Sequence, residues 1–331
     1  MSDIRVPRNT SLADMLAEGR ASKFLFICLA VWLNAADSLV TATIMPKVGV
    51  DLGGYSFFSW AVAGFLMGAI VSSASAGRLS ELLGLRSATT IAGIIFAVGC
   101  IISALAPNIG MFLAGRVVQG IGSGWISGFA MVAIAVIFPA RHLARMFAST
   151  AGVWGIATVL GPLIGGLLVQ AGNWRAVFWL FAGQALLFSV AAPFLLRGGA
   201  GKRAHASIPW LQLALLTLGV GAIALANLGD SSRVAFSLVA LGLALLIIVL
   251  RIDGRAKVRM FPHRAGSLRT TAGLGYAAMF ALFASSMGLI VYASPILQVI
   301  RCRASITMSG RVASPTYVPE AAGIASSEML P

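Results

Sequence analysis

Residues 152–166 read GVWGIATVLGPLIGG, which places five glycines and one proline inside an otherwise apolar stretch. Glycine in a helix interior costs about 1 kcal/mol relative to alanine, and proline about 3 kcal/mol, so such a cluster normally ends a helix. In a bilayer, small residues also let helix backbones approach closely, and Gly161 with Gly165 forms a GxxxG pair. Pro162 removes the hydrogen bond to the carbonyl of Thr158, whose hydroxyl is expected to compensate in part. The residues favour close helix packing and leave bending open.

The composition of the whole chain indicates a membrane protein. Hydrophobic residues make up 59% of the sequence and charged residues 10%, whereas a soluble domain has about 25% charged residues. The mean hydropathy is +0.93. A helix needs about 20 apolar residues to cross a bilayer, which predicts an all-α, polytopic membrane helix bundle. The predicted spans are residues 24–46, 57–77, 88–106, 109–138, 147–169, 176–196, 209–229, 233–251 and 272–297.

Basic residues are distributed unevenly between the predicted loops. The formal net charge is +14, and most Lys and Arg residues precede the first span or lie in every second loop after it. The loops on the other side hold only Lys47, Arg175 and Arg233. This asymmetry follows the positive-inside rule and predicts a cytoplasmic N-terminus. The positive net charge is thus explained by membrane topology and by contact with anionic lipids, and it gives no indication of nucleic-acid binding. Residues 1–23 lack the apolar core and cleavage site of a signal peptide.

Residues that would indicate an enzyme or a metal site are scattered. Cys28 and Cys100 lie in predicted spans and Cys302 in the tail, without a CxxC pair, so we expect no disulfide, metal or cofactor. The sequence contains neither a P-loop nor an HExxH motif. The three histidines lie in predicted inner loops: His142, His205 and His263. The chain is therefore not expected to be an enzyme.

Two predicted spans carry polar stripes. Asp37 is the only acidic residue inside a predicted span, and an ionisable group at the bilayer centre costs about 2.5–3.5 kcal/mol on insertion scales, so it normally faces a partner or a cavity. Asn34 and Thr41 lie on the same helical face as Asp37. In the fourth span, Arg116 and Gln119 share a face with Gly120 and Ser123.

The two stripes are predicted to meet at similar depth. Asp37 lies roughly 14 Å inward from Pro46, and Arg116 roughly 10 Å inward from residue 109, at about 1.5 Å per residue. A carboxylate that pairs with Arg in a low dielectric can take up and release a proton as the pair opens and closes. A static buried ion pair that only orients the helices is the alternative.

Several motifs together resemble the major facilitator superfamily, specifically its 14-span drug:proton antiporter family. ATVLGPLIGG (157–166) is similar to the antiporter signature of helix five, and the full segment lacks only the first Gly of that signature. LAGRVVQGIGSG (113–124) resembles the helix-four motif whose Arg is tied to proton transfer, and it matches at Arg116, Gln119 and Gly120. The resemblance covers about residues 25–300.

Three further stretches carry the resemblance. ADSLVTATIMP (36–46) is similar to the helix-one motif, and NWRAVFWLF (173–181) to the aromatic entry of helix six. GRLSELLGLRS (77–87) resembles the motif between helices two and three, with matches at Gly77, Gly84 and Arg86. Glu81 stands where Asp is usual, and leucines replace two basic residues. A tight basic turn that only fixes topology is the alternative to a conformational switch there.

The resemblance implies a domain organisation. A cytoplasmic segment (1–23) precedes a six-helix N-terminal transporter half (24–196), and residues 197–271 hold cytoplasmic loops with two linker helices. Residues 272–300 are expected to be the first helix of an incomplete C-terminal half, followed by a polar, disordered or frameshifted tail (301–331). The alternatives are a natural short form, and a 12-span arrangement in which the seventh helix opens the second half.

The resemblance also implies a function, that of a proton-coupled antiporter in the plasma (inner) membrane that exports small amphipathic or drug-like molecules. Its partners are the substrate, protons and the bilayer. An uptake carrier, a truncated non-transporting remnant, and a half-transporter that needs a partner chain or an oligomer stay open. The residues implied for proton coupling or substrate binding are Asp37, Arg116, Thr41 and Gln119, and Asn34 joins them because it shares the helical face of Asp37; the gating helix residues are Gly152, Gly161, Pro162, Gly165 and Gly166; the loop residues are Gly77, Glu81, Gly84 and Arg86.

Overall fold

The computed structural model describes residues 20–53, 58–196, 209–226, 231–256, 269–271, 273–282 and 285, and these residues are helical apart from short connections. A 3-10 turn, Ala140–His142, precedes the fifth long helix, and Gly273–Leu282 forms a shorter apolar helix. The long helices are α1 (Arg20–Leu52), α2 (Phe58–Leu83), α3 (Leu85–Leu105), α4 (Ile109–Ile137), α5 (Leu143–Gln170), α6 (Arg175–Leu195), α7 (Trp210–Leu225) and α8 (Ser232–Arg255).

The helices confirm the predicted all-α membrane bundle. In the described part of the chain, α1–α6 and α8 are long and apolar enough to cross a bilayer, and each corresponds to one predicted span. α7 has 16 residues and is shorter than a span; part of the predicted 209–229 span lies outside the described residues. Most of the predicted 272–297 span and all of the 301–331 tail also lie outside them.

Helix α1 is longer than the predicted span. Its helix continues through Pro46 to Leu52, so Lys47 lies in its last turns and not in a loop. Lys47 and Asp51 form an ion pair of 2.9 Å one turn apart, which supports this end of the helix. Asp51 Oδ2 also accepts a 2.9 Å hydrogen bond from Trp174 Nε1 at the start of α6. These contacts stabilise helical turns that hydropathy alone does not predict.

Helix α4 is the central element of the bundle. It packs against α2 on one side and α3 on another, and it also crosses α1. Its glycines permit this close packing, because a Cβ at Gly120 would overlap the Phe65 carbonyl oxygen of α2, and a Cβ at Gly122 would overlap the Phe96 backbone of α3. α6 packs on α3, and α5 packs mainly on α1. Three helices are thereby brought around the polar face of α4.

Helices α7 and α8 form a pair that reaches the rest of the bundle through α2. α7 packs mainly against α8 and also contacts α2. The two helices approach closely at Gly219, where a Cβ would lie 3.2 Å from the carbonyl oxygen of Gly242. Gly273–Leu282 falls in a second compact unit, His263–Pro331, and is described by itself.

Candidate functional site

Asp37 of α1 and Arg116 of α4 form a buried ion pair. Arg116 Nη1 lies 2.9 Å from Asp37 Oδ2, and the two side chains are 1% and 0% exposed. The structure thus places together the two ionisable residues that depth and motif singled out. Removing one partner of such a pair leaves an uncompensated buried charge, which costs about 3–5 kcal/mol. Any state in which the pair opens therefore needs a replacement partner or a proton.

Gln119 joins both members of the ion pair. Its Nε2 donates to Asp37 Oδ1 at 2.6 Å, and its Oε1 accepts from Arg116 Nη1 at 2.7 Å. Gln119 Nε2 also lies 3.1 Å from Cys100 Sγ of α3. The amide therefore connects α1, α3 and α4 at one level. Each oxygen of the Asp37 carboxylate has a donor, so the pair is fully satisfied in this conformation.

Helix α2 also contacts the guanidinium of Arg116. Arg116 Nε donates to the Ala61 carbonyl oxygen at 3.4 Å, and its Cζ lies 4.4 Å from the centre of the Phe65 ring. A guanidinium over an aromatic face is stabilised by the ring quadrupole. Ala61, Phe65 and Cys100 were not predicted, because apolar side chains and backbone carbonyls leave no pattern that distinguishes them from ordinary span residues.

One helical turn from the ion pair, Asn34 bridges α1 and α4. Its Nδ2 donates to Ser127 Oγ at 2.7 Å, and its Oδ1 accepts from Ser123 Oγ at 3.0 Å. Ser127 continues the stripe of Arg116, Gln119 and Ser123 by one more turn, so its spacing was a signal that sequence reasoning passed over. Asn34 is partly exposed, and its bridge closes this side of the ion pair.

Thr41 lies one turn from Asp37 on the other side. Its side chain is 1% exposed, and its Oγ1 makes no hydrogen bond in the described structure. Ser103 Oγ of α3 is likewise buried without a partner. A buried hydroxyl without a partner costs stability, and such groups in native structures normally serve water, an ion or a function. The hydrogen bonding around Asp37 is therefore complete on the Asn34 side and incomplete on the Thr41 side.

The glycine-rich helix α5 divides into two faces. A Cβ at Gly161 would lie 2.9 Å from Leu39 Cβ, and one at Gly165 would lie 3.2 Å from Thr43 Cβ, so these glycines pack α5 on α1. Gly152 and Gly166 have nothing within 4 Å of a Cβ position among the described residues. The helix continues through Pro162. The GxxxG pair is thus a packing contact, and the other motif glycines lie on an open face.

The Thr158 hydroxyl does not compensate as predicted. It donates to the Trp154 carbonyl oxygen at 2.9 Å, one turn earlier in α5. A serine or threonine hydroxyl in a helix commonly bonds back in this way. Pro162 has no N–H to donate to the Thr158 carbonyl. The Thr158 hydroxyl is already bonded to Trp154 and does not replace that hydrogen bond.

The loop motif forms a tight turn. α2 ends at Leu83 and α3 begins at Leu85, with Gly84 between them at a φ of 78°. Glycine reaches this left-handed conformation without the steric cost of a Cβ. Within α2, Arg78 pairs with Glu81 at 2.9 Å, and both side chains are partly exposed. Arg86 is exposed. The motif residues thus lie where α2 ends and α3 begins. The parts of these two helices that contact the ion-pair site, at Ala61 and Phe65 in α2 and at Cys100 in α3, lie several turns away.

No cluster of three or more potential metal ligands occurs in the part of the chain that the structure describes. Between the described helices lie two sizeable, largely apolar cavities. One of about 620 Å³ lies between α1, α5 and α6, and one of about 510 Å³ lies between α2, α4 and α7. Neither is lined by Asp37 or Arg116.

The comparison with known families gives one broad match. The sequence profile described as Major Facilitator Superfamily matches residues 27–327. The matched range includes the motif-bearing helices α1–α6. It also runs past residue 300, into the segment that composition set apart as a tail.

Several curated relatives are similar to this chain. An MFS-type transporter of the acurin A biosynthesis cluster in Aspergillus aculeatus is 36% identical over 61% of this chain and 38% of its own length. A multidrug transporter protein of Bacillus subtilis is 28% identical over 92% of this chain and 58% of its own length. An MFS-type efflux pump of Fusarium sp is 30% identical over 61% of this chain and 37% of its own length. The chain thus spans about half, or less, of the length of these relatives.

Proposed function

The chain belongs to the major facilitator superfamily, and from this premise we propose that it is a proton-coupled transporter that exports small amphipathic, drug-like molecules from the cell. Membership confirms the resemblance at the level of the superfamily, and a transporter family agrees with the expectation that the chain is not an enzyme. The names of two relatives, a multidrug transporter protein and an efflux pump, support a drug-like substrate and export. The observation that carries the proposal is the buried pair Asp37–Arg116.

Proton exchange at Asp37 is the proposed coupling step. When Asp37 is ionised, Arg116 Nη1 is held 2.9 Å from its carboxylate. When a proton binds the carboxylate, the ionic attraction is lost and Arg116 keeps only its contacts to Gln119, Ala61 and Phe65. Two conformations that hold Arg116 differently then differ in their affinity for the proton. Such a difference is what coupling between a proton and a conformational change requires.

The route of the proton is proposed from the hydrogen bonds around Asp37. The Asn34 bridge to Ser123 and Ser127 closes one side, whereas the buried Thr41 hydroxyl on the other side has no partner. With the N-terminus in the cytoplasm, as the basic loops indicate, Thr41 lies on the outer side of Asp37. A proton that enters from outside would then reach Asp37 past Thr41, as inward proton movement during export requires.

Two motifs supply the proposed moving parts. The open face of α5, with Gly152 and Gly166, is proposed to slide against a further helix layer during alternating access, which in this superfamily needs one half to rock against the other. The turn at Gly84, with Arg78 and Glu81 beside it, is proposed to act at the cytoplasmic end of the same motion. The proposed location is the plasma (inner) membrane, with the N-terminus in the cytoplasm.

Transport into everted membrane vesicles tests the proposal, because export from the cell becomes uptake into such vesicles. Vesicles that contain the full chain are loaded with a proton gradient, and uptake of a fluorescent lipophilic cation is followed for the parent, Asp37→Asn and Asp51→Asn. We expect gradient-dependent uptake in the parent and in Asp51→Asn, because Asp51 is a partly exposed residue at the end of α1. We expect none in Asp37→Asn. Equal transport in all three proteins would remove Asp37 from coupling, and inserted protein that moves no dye would contradict the proposed export.

A further inference from the structure

The cavity of about 510 Å³ between α2, α4 and α7 is separate from the buried ion pair. Ser72 and Ser75 of α2, Trp125 of α4, and Trp210, Ala214 and Thr217 of α7 line it together with aliphatic side chains. The size falls within the range of about 300–1,000 Å³ that is typical of small-molecule sites. All its lining residues are uncharged. A ligand there would therefore be recognised mainly by aromatic and aliphatic side chains.

The hydroxyl groups of the cavity are acceptors. Ser72 Oγ donates to the Ala69 carbonyl oxygen at 3.2 Å, Ser75 Oγ to the Ser72 carbonyl oxygen at 2.8 Å, and Thr217 Oγ1 to the Leu213 carbonyl oxygen at 2.7 Å. Since each hydroxyl hydrogen is engaged within its own helix, the oxygens retain only lone pairs for a ligand. Ser75 Oγ already accepts from Trp125 Nε1 at 2.8 Å. The cavity therefore offers a ligand no hydroxyl donor, and an anion would find neither a charged side chain nor a hydroxyl donor there.

The two tryptophans supply the second part of the recognition. Trp125 is partly buried and fixed by its bond to Ser75, whereas Trp210 is 71% exposed. The face of an indole attracts cations and stacks with flat aromatic rings. Trp210 is the first residue of α7, and Leu79 in the cavity wall is one turn from the end of α2. The cavity therefore lies near one membrane surface, where tryptophan is enriched and the charged end of an amphiphile can stay hydrated.

We propose that this cavity is an accessory binding site for an aromatic lipophilic cation, with its ring system between Trp125 and Trp210 and its charged end toward the membrane surface. An anion would find no positive side chain among the lining residues, and a purely aliphatic molecule would make no use of the acceptors or the indoles. The site gives the α7–α8 pair a binding role, because α7 supplies one wall. It does not depend on the proposed transport, since no residue of the coupling site lines it.

Equilibrium binding of ethidium to the full chain in lipid nanodiscs tests this site, with empty nanodiscs subtracted. Ala214→Phe fills the cavity and is expected to weaken binding by at least tenfold. Leu218→Phe is the matched control, because Leu218 lies one turn on in α7 and is 60% exposed; its affinity should equal that of the parent. Asp37→Asn should also bind normally, which separates this site from the proposed coupling site.

A second variant keeps the test valid if Ala214→Phe folds poorly. Trp210→Leu removes an exposed indole and so leaves packing intact, and it is expected to weaken ethidium binding several-fold. Photolabelling with azido-ethidium should mark α2, α4 and α7 beside the cavity. Unchanged affinity in Ala214→Phe and Trp210→Leu, an equal loss in Leu218→Phe, or labelling only at other helices would overturn the proposal.

Discussion

The amide of Gln119 donates a hydrogen bond of 2.6 Å to Asp37 Oδ1, the carboxylate oxygen that Arg116 does not use. Gln119 lies on α4 and Asp37 on α1, 82 residues apart in the chain. Because the same amide accepts from Arg116, it determines how both charged groups are oriented. The ion pair is accordingly a three-residue unit, and its stability depends on a neutral side chain.

Gln119→Leu should destabilise the protein. It removes one donor from the Asp37 carboxylate and one acceptor from Arg116, and each unsatisfied buried group costs about 1–3 kcal/mol or more when charged. Thermal unfolding in detergent would show a clear fall in Tm. Gln184→Leu is the control, since Gln184 accepts a single 3.2 Å bond from Trp32 at a partly buried site. An equal fall in both variants would mean that Gln119 acts only as a packing residue.

A double-mutant cycle on the ion pair should show strong coupling. Arg116→Gln alone leaves the buried Asp37 carboxylate without its ionic partner and should cost about 3–5 kcal/mol. Adding Asp37→Asn to Arg116→Gln removes the remaining charge, so the double variant should be more stable than Arg116→Gln. The free energies of unfolding of the parent, the two single variants and the double variant give the coupling energy. Additive losses would argue against a charge interaction between these two side chains.

Gly161→Leu should separate α1 from α5. A Cβ at Gly161 would lie 2.9 Å from Leu39 Cβ, so a larger side chain forces the two helices apart. Gly152→Leu is its matched control in the same helix, because nothing lies within 4 Å of a Cβ at Gly152 among the described residues. We expect a lower Tm and lower yield for Gly161→Leu only. If Gly152→Leu unfolds as readily, the open face of α5 is packed in the membrane.

Gly84→Ala should cost about 1–2 kcal/mol. Gly84 has a φ of 78° between α2 and α3, and an L-residue is strained in that left-handed conformation. Gly77→Ala is expected to change stability in the opposite direction, because Gly77 lies inside α2 with open space around a Cβ. Alanine there should raise stability by up to about 1 kcal/mol. Chemical unfolding of both variants measures the difference, and equal effects would contradict a conformational role for Gly84.

Thr41→Val should leave stability unchanged or raise it, because Thr41 Oγ1 makes no hydrogen bond in the described structure. If the proposed proton route passes Thr41, the same variant should slow proton-gradient-driven efflux. Thr150→Val is the comparison, since Thr150 is also buried but donates to the Phe147 carbonyl oxygen at 2.8 Å. A Thr41→Val protein with a parent-like Tm and parent-like efflux would exclude the proposed route.

The sequence was sufficient to predict the span-length helices in the described part of the chain. Hydropathy is a local property, so α1–α6 and α8 each follow from a run of apolar residues. The polar stripes were also readable, because residues three or four apart share a helical face. The end of α1 was predicted too early, since its last turns depend on contacts of Asp51 with Lys47 and with Trp174 far along the chain.

The sequence by itself determined which segments enter the membrane, which residues within them are polar, and, through the motifs, the superfamily. The approach of Asp37 to Arg116 was predicted from their depth, but only the tertiary structure decided what else these polar residues contact. Gln119 contacts Cys100, and Arg116 contacts Phe65, because glycines of α4 let α2 and α3 approach its backbone. It also decided that Gly161 packs while Gly152 does not. Such contacts depend on how helices pack, and residues on different helices carry no local signal of their distance.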